Sequence, residues 1–376
     1  MTAPSKRIVW LDVVKGIAIL WIVFFHLYRP YTNERLPWPL ASHYFTRFLE
    51  QCQPSAAAEH FTCLAAALYN AVVQLGFHAV AVFVLLSGFA LARGLGEQPM
   101  GGWRGWGSWY RKRLLRLYPM YWVAHLVVLL SPFVARPEPL DARIFWSLLG
   151  NRSYPVETLF YYLNPAWWYF GLLLQLYLVF PLLFWGLRRL GPLRFLMLSI
   201  VLTVAARHWL LNVSPVNGNY VQGAFFLPRL WEFTAGMALG WVHRRDPSGV
   251  EARLFSWGGL LAGITLYGVG LLSYRSATAY LLTDGLTGMG LFMLLAWAAR
   301  LVSRLPSVGS TLAYVGAFSY GLFLLHQPYV IYAGERMREL ALPTFIVLSL
   351  PLLTILILGS SALERLVNRW TAPRAL

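Results

Sequence analysis

Three ionisable residues, Asp12, Lys15 and His26, lie in the otherwise apolar stretch WLDVVKGIAILWIVFFHLY, from Trp10 to Tyr28. On a helix, the step from Lys15 to His26 is about three turns and roughly 16 Å, and it brings both side chains to one face. Asp12, one turn before Lys15, can pair with it. A charge in hydrocarbon costs roughly 2.5–3.5 kcal/mol on insertion scales, so such residues face a bundle interior or a water-filled cavity and mark a functional site by default. The plainer reading is a Lys15 that reaches for the interface and a His26 that packs. A positioned imidazole can also take a proton near neutral pH.

A second cluster, WYRKRLLRLYPMYW from Trp109 to Trp122, places Arg113 and Arg116 on one helix face. Two guanidinium forks near a helix N-terminus suit a phosphate-bearing ligand. A basic anchor flanked by interfacial aromatics reads the same way in sequence. In FHAVAVFVLLSGFALARG, Ser87 and Gly88 allow close approach of a backbone or a slender ligand, and His78 lies toward the other end. Arg229 and Glu232 in LPRLWEFTAGMALG are spaced to form an ion pair, and FSYGLFLLHQP carries Tyr320 and His326. For a lone histidine such as His326, core packing is the alternative. His26, His78 and His326 fall toward the outer ends of their segments; Arg113, Arg116 and Ser87 fall toward the inner side.

The elements that position these residues follow from composition. A chain that is 58% hydrophobic and 12% charged is no ordinary soluble domain. Apolar runs cover roughly 8–28, 69–92, 114–134, 166–187, 193–212, 225–243, 255–273, 279–299, 311–332 and 342–364, each of a length to cross a bilayer. The expectation is an all-α polytopic membrane protein of about ten transmembrane helices with both termini cytoplasmic. It forms one domain, 1–376, with outer loops at about 29–68 and 135–165. Basic residues gather in the inner segments, as at Arg188, Arg189, Arg244, Arg245, Arg300 and Arg304. The net charge of +16 is therefore spread over short loops. That excludes a nucleic-acid-binding role and leaves room for contacts with lipid head groups. The first run lacks the cleavage pattern of a signal peptide. Cys52 and Cys63, both in the first outer loop, read as a disulfide, and two cysteines alone do not make a metal site. No internal repeat is visible, which counts against a transporter.

Taken in order along the chain, these segments resemble the acyltransferase-3 family, which includes bacterial sugar O-acetyltransferases. The matching positions are Leu11-Asp12 with Lys15 and His26, then Ser87-Gly88-Phe89, then Arg113, Arg116, Tyr118 and Pro119. They continue with Arg229, Glu232, Phe233 and Gly236, and end with Ser319, Tyr320, Leu325 and His326. Where many members carry a Glu before the tyrosine of the W…QxY…P segment, this chain has Leu173 and Leu174. The resemblance is to the stand-alone form without an SGNH hydrolase-like domain. It implies transfer of an acyl group, most often acetyl, from cytoplasmic acetyl-CoA or another acyl-CoA to a hydroxyl of an extracytoplasmic carbohydrate or glycolipid. It also implies a multi-pass protein of the bacterial inner membrane that needs no metal, alone or with polysaccharide-biosynthesis partners. His26 is then the catalytic base, with Lys15 and Asp12 ordering the site. Arg113, Arg116, Ser87, Gly88 and Tyr118 bind the CoA donor. His78, Arg229, Glu232, Tyr320 and His326 contact the acceptor. A transporter or flippase for an anionic solute or a lipid-linked sugar is the competing reading.

Overall fold

The computed structural model describes residues 8–53, 57–95, 102–135 and 139–371. Among them every regular element is helical. Helix α1 (Val9–Thr32) leads to α2 (Tyr44–Cys52) and α3 (Ala57–Gln74), and a 3-10 turn joins α3 to α4 (Ala79–Leu95). Helix α5 (Gly102–Leu130) is followed by two short helices, α6 (Arg143–Leu148) and α7 (Val156–Leu159), and by the long α8 (Trp168–His208). Then come α9 (Leu230–Arg245), α10 (Pro247–Leu254), α11 (Trp257–Ser273), α12 (Thr283–Val302), α13 (Pro306–Ala317), α14 (Ser319–Arg336) and α15 (Leu342–Thr371).

Among the described residues, six helices are long and apolar enough to cross a membrane, or up to eight spans if each of two bent pairs counts as one. The count of ten differs at two places. The runs 166–187 and 193–212 fall within the single helical assignment α8, interrupted at Gly191 (φ 76°) before Pro192. The chain doubles back there. Gln175 donates to the Ala224 carbonyl and Thr203 to the Leu227 carbonyl, yet a straight helix would hold residues 175 and 203 about 42 Å apart. The run 225–243 becomes α9, which has 16 residues because it starts only after a 3-10 turn at Leu227–Arg229. The run 311–332 is two helices bent by 80° at Phe318, and α10 meets α11 at 64°. The second span starts earlier than 69, in a continuous stretch Glu59–Leu95, and Cys52 and Cys63 are bonded across α2 and α3.

Close helix contacts set the positions of the chemistry-bearing faces. Helices α4 and α9 meet backbone to backbone: a Cβ on Gly88 would strike the Phe233 carbonyl, and one on Gly236 the Leu85 carbonyl. Similarly, α13 crosses α1 with Gly316 against the Asp12 carbonyl, directly beside Lys15. Small residues are what allow such approach where no water drives helices together. Most of α15 faces outward, with Val347, Leu350, Ile355 and Leu358 exposed, a surface suited to lipid. Overpacking a tight contact costs about 1–3 kcal/mol. Gly236→Ala should therefore lower the thermal unfolding midpoint in detergent clearly. Gly268→Ala, where nothing lies within 4 Å of the new methyl, should not. Equal midpoints would refute the close α4–α9 contact.

Candidate active site

At the C-terminal end of α1 opens a cavity of about 1010 Å³. His26 lines it, together with His78, Arg229, Asp284 and Gln327 and the aromatic side chains of Trp38, Trp168 and Phe323. His26 is half-buried, with one side toward the cavity and the other toward α14. On that side, His26 Nδ1 lies 3.2 Å from Nε2 of the fully buried His326. His326 Nδ1 faces the carbonyl oxygens of Phe323 and Leu322 at 2.9 and 3.1 Å.

The placement of His326 has a sequence origin. Pro328 has no N–H, so the Leu324 carbonyl loses the partner a regular helix would supply four residues on. The Asn164 side chain and the Trp167 indole both donate to it, at 2.9 and 2.8 Å. Asn164 also caps the 3-10 turn Pro165–Trp167 by accepting from the Ala166 N–H. The segment before α8 thus locks α14 two residues from His326.

The wall of the cavity holds a buried ion-pair cluster. Arg229 Nε is 3.0 Å from Glu232 and its Nη1 is 3.1 Å from Asp284. Asp284 also pairs with the buried Arg207, which donates to the Tyr280 carbonyl. Beside this cluster, His78 bonds with the Tyr267 hydroxyl through Nδ1 (3.0 Å) and the Tyr274 hydroxyl through Nε2 (3.1 Å). Both its nitrogens are thereby engaged.

The other end of α1 is basic. Lys15 and Asp12 pair at 2.5 Å. Glu364 of α15 accepts the Gly321 N–H at 2.8 Å, at the first turn of α14 just past the 80° bend, and interacts electrostatically with Arg116 and Lys15. Half-buried Tyr177 interacts with both Arg113 and Arg116. Arg113 also sits over the Trp109 ring. The Tyr320 hydroxyl donates to the Leu117 carbonyl on α5 (2.8 Å). Between the two ends, the Ser87 hydroxyl bonds to the Phe83 carbonyl and the Tyr169 hydroxyl, while Gly88 packs against α9.

The residues singled out in the sequence thus fall into two groups. His26, His78, Arg229, Glu232 and His326 lie on or just behind the cavity; Asp12, Lys15, Arg113, Arg116 and Tyr320 lie at the far end. Tyr118 belongs to neither, since its hydroxyl donates to the Leu149 carbonyl of the connection that carries α6 (2.7 Å). Sequence reasoning missed Asp284, Arg207, Glu364, Gln327 and Arg152. The first three are ionisable groups inside or at the edge of apolar runs, the signal that singled out Lys15. Gln327 simply follows His326. Arg152 sits in a connection, where an arginine is unremarkable. It is nevertheless buried, donating to the Leu159 and Tyr162 carbonyls and to Tyr121 and Ser147. Among the described residues, no three His, Cys, Asp or Glu side chains converge as metal ligands.

No curated protein and no solved structure matches the chain. A family model described as an acyltransferase domain does match, over residues 8–365. That span takes in both ends of α1, the cavity and the bent α13–α14 pair. With its elements in this order over nearly its whole length, the chain belongs to the acyltransferase-3 family, whose members transfer acyl groups.

Proposed function

We propose that this protein moves an acyl group, most often acetyl, from cytoplasmic acyl-CoA to a hydroxyl of an extracytoplasmic glycan or glycolipid. In this reading it resides in a bacterial inner membrane with ten spans and both termini cytoplasmic. The chain reversal at Gly191 and the run of α9 alongside α4 support that topology. The observation that carries the proposal is the two-ended site on α1. Its imidazole faces a large cavity, and about 16 Å away on the same helix its ammonium group joins a basic cluster.

Arg113 and Arg116 hold the CoA phosphates, and Lys15, paired with Asp12, orders that end of the site. The pantetheine arm passes Ser87, which bonds to the Tyr169 hydroxyl between the two ends of α1. The acceptor waits in the cavity, with Arg229, Gln327 and the aromatic side chains as its contacts. His26 takes the proton from the acceptor hydroxyl as the oxygen forms a bond to the acyl carbon. The carbon–sulfur bond breaks, and the CoA thiolate leaves with the electron pair and is reprotonated. Lipids surround the bundle, and enzymes of polysaccharide biosynthesis would supply the acceptor.

Two measurements test this. Replacing both Arg113 and Arg116 with Ala should cost about 1.5–3 kcal/mol of CoA binding per lost charge-assisted contact, read by calorimetry in detergent. Unchanged affinity would remove them from the donor site. His26→Ala and His26→Gln should still bind acetyl-CoA but lose about 10²–10⁴-fold in transfer of radiolabelled acetyl from acetyl-CoA into extracted membrane glycolipid. A glutamine variant with wild-type turnover would move the base elsewhere. Uptake of a solute into proteoliposomes without any acyl transfer would favour the transporter.

A further inference from the structure

The contacts of His326 dictate where the protons of both rings sit. Carbonyl oxygens accept hydrogen bonds and never donate them, so the His326 nitrogen facing Phe323 and Leu322 must carry a hydrogen. In a neutral ring the other nitrogen, Nε2, is then a bare lone pair. That lone pair faces His26 Nδ1 at 3.2 Å. Two lone pairs cannot share a hydrogen bond, so His26 Nδ1 carries the hydrogen. The Ile22 carbonyl, one turn back on α1, is a further acceptor beside the same ring. His26 Nε2 is left as the free lone pair on a ring that lines the cavity.

We infer that His326 is a positioning residue: it holds His26 in the tautomer whose Nε2 can accept a proton from the acceptor hydroxyl. The inference rests on His26 being the base of the proposed reaction. It adds a reason why that base is ready without a carboxylate behind it. The role usually filled by an acidic side chain is here taken by a second, neutral imidazole, itself oriented by helix carbonyls. A neutral partner also avoids placing a further charge in the bundle.

The test reads His26 directly and needs no acceptor. Diethyl pyrocarbonate acylates an imidazole nitrogen through its lone pair, and peptide mass spectrometry locates the adduct. In the purified full-length protein in lipid nanodiscs, His26 should be modified and His326 spared, since both His326 nitrogens are engaged. Modification of His326 as fast as His26 would overturn the inference, and this arm requires no variant. Variants then separate positioning from packing. His326→Gln can place a carbonyl oxygen near the old Nε2 and should keep most of the His26 reactivity. His326→Asn keeps an amide for the Phe323 and Leu322 carbonyls but does not reach His26, and His326→Leu offers no acceptor at all. Both should slow His26 modification clearly relative to the unmodified sequence and to His326→Gln. Equal reactivity in all three variants, or equal loss in Gln and Asn, would reduce His326 to a packing residue. If the labelling follows the expected order while His26→Gln still transfers acetyl normally, the tautomer assignment stands and the base role of His26 falls.

Discussion

Pro328 cannot donate a hydrogen bond to the Leu324 carbonyl, and the geometry of the cavity end depends on how that loss is made good. In an apolar bundle no water is at hand to take the carbonyl, so a protein group must. Asn164 and Trp167 supply two donors. The repair does more than satisfy an acceptor. It joins the connection before α8 to α14, two residues from His326, and so fixes the ring against which His26 rests. The break between α13 and α14 is handled by the same logic. The new helix start at Ser319 has no side-chain cap of its own, and Glu364 from α15 takes the Gly321 N–H instead. The first two turns of α14 are thus held by residues distant in sequence.

The charges buried at the cavity wall obey the same constraint. Arg207, Arg229, Glu232 and Asp284 sum to zero, and each has an opposite charge beside it. Removing one partner of such a group strands the other, at a cost of about 3–5 kcal/mol. The cluster therefore serves as structure first. Its consequence for chemistry is a wall that is polar yet neutral in sum, next to several aromatic side chains. Such a wall suits an uncharged polyol better than a strongly anionic solute, which would need an excess of positive charge.

Much of this was legible in the sequence because ionisable side chains in apolar helices stand out, and because helical spacing fixes which face they share. Lys15 and His26 on one face of α1, the Arg229–Glu232 pair and the Cys52–Cys63 bridge follow from spacing and composition alone. The partners were harder to read. That His26 meets His326, three hundred residues away, depends on how α14 is bent and docked. Local pattern carries no trace of that. Arg152 and Tyr118 show the same limit from the other side. The connection between α5 and α8 folds onto α5, so an arginine in a connection is a buried staple, and the Tyr118 hydroxyl bonds to the Leu149 carbonyl. The bend at Phe318 was not legible, because an apolar run shows where a chain can cross and not where a helix breaks within it.

The cross-ties also bear on whether the molecule works by transfer or by transport. A transporter that alternates access rocks one part of its bundle against another around a central site. Here α5 is tied to the connection before α8 through Tyr118, Tyr121 and Trp122. It is tied to α14 through Tyr320, and α14 is tied back to that connection through Leu324. Helix α1 meets α4, α12, α13 and α14 and carries an ionisable side chain toward each end, Lys15 and His26. Rocking across these contacts would have to break several buried hydrogen bonds together, each costly to leave unmade in an apolar setting. Group transfer has no such requirement. It needs two binding regions held at a fixed separation and a donor with a flexible arm long enough to bring its reactive carbon from one to the other. A framework whose polar repairs fix α1, α5 and α14 to one another meets the first need, and in the proposed reading the pantetheine arm of an acyl-CoA would meet the second.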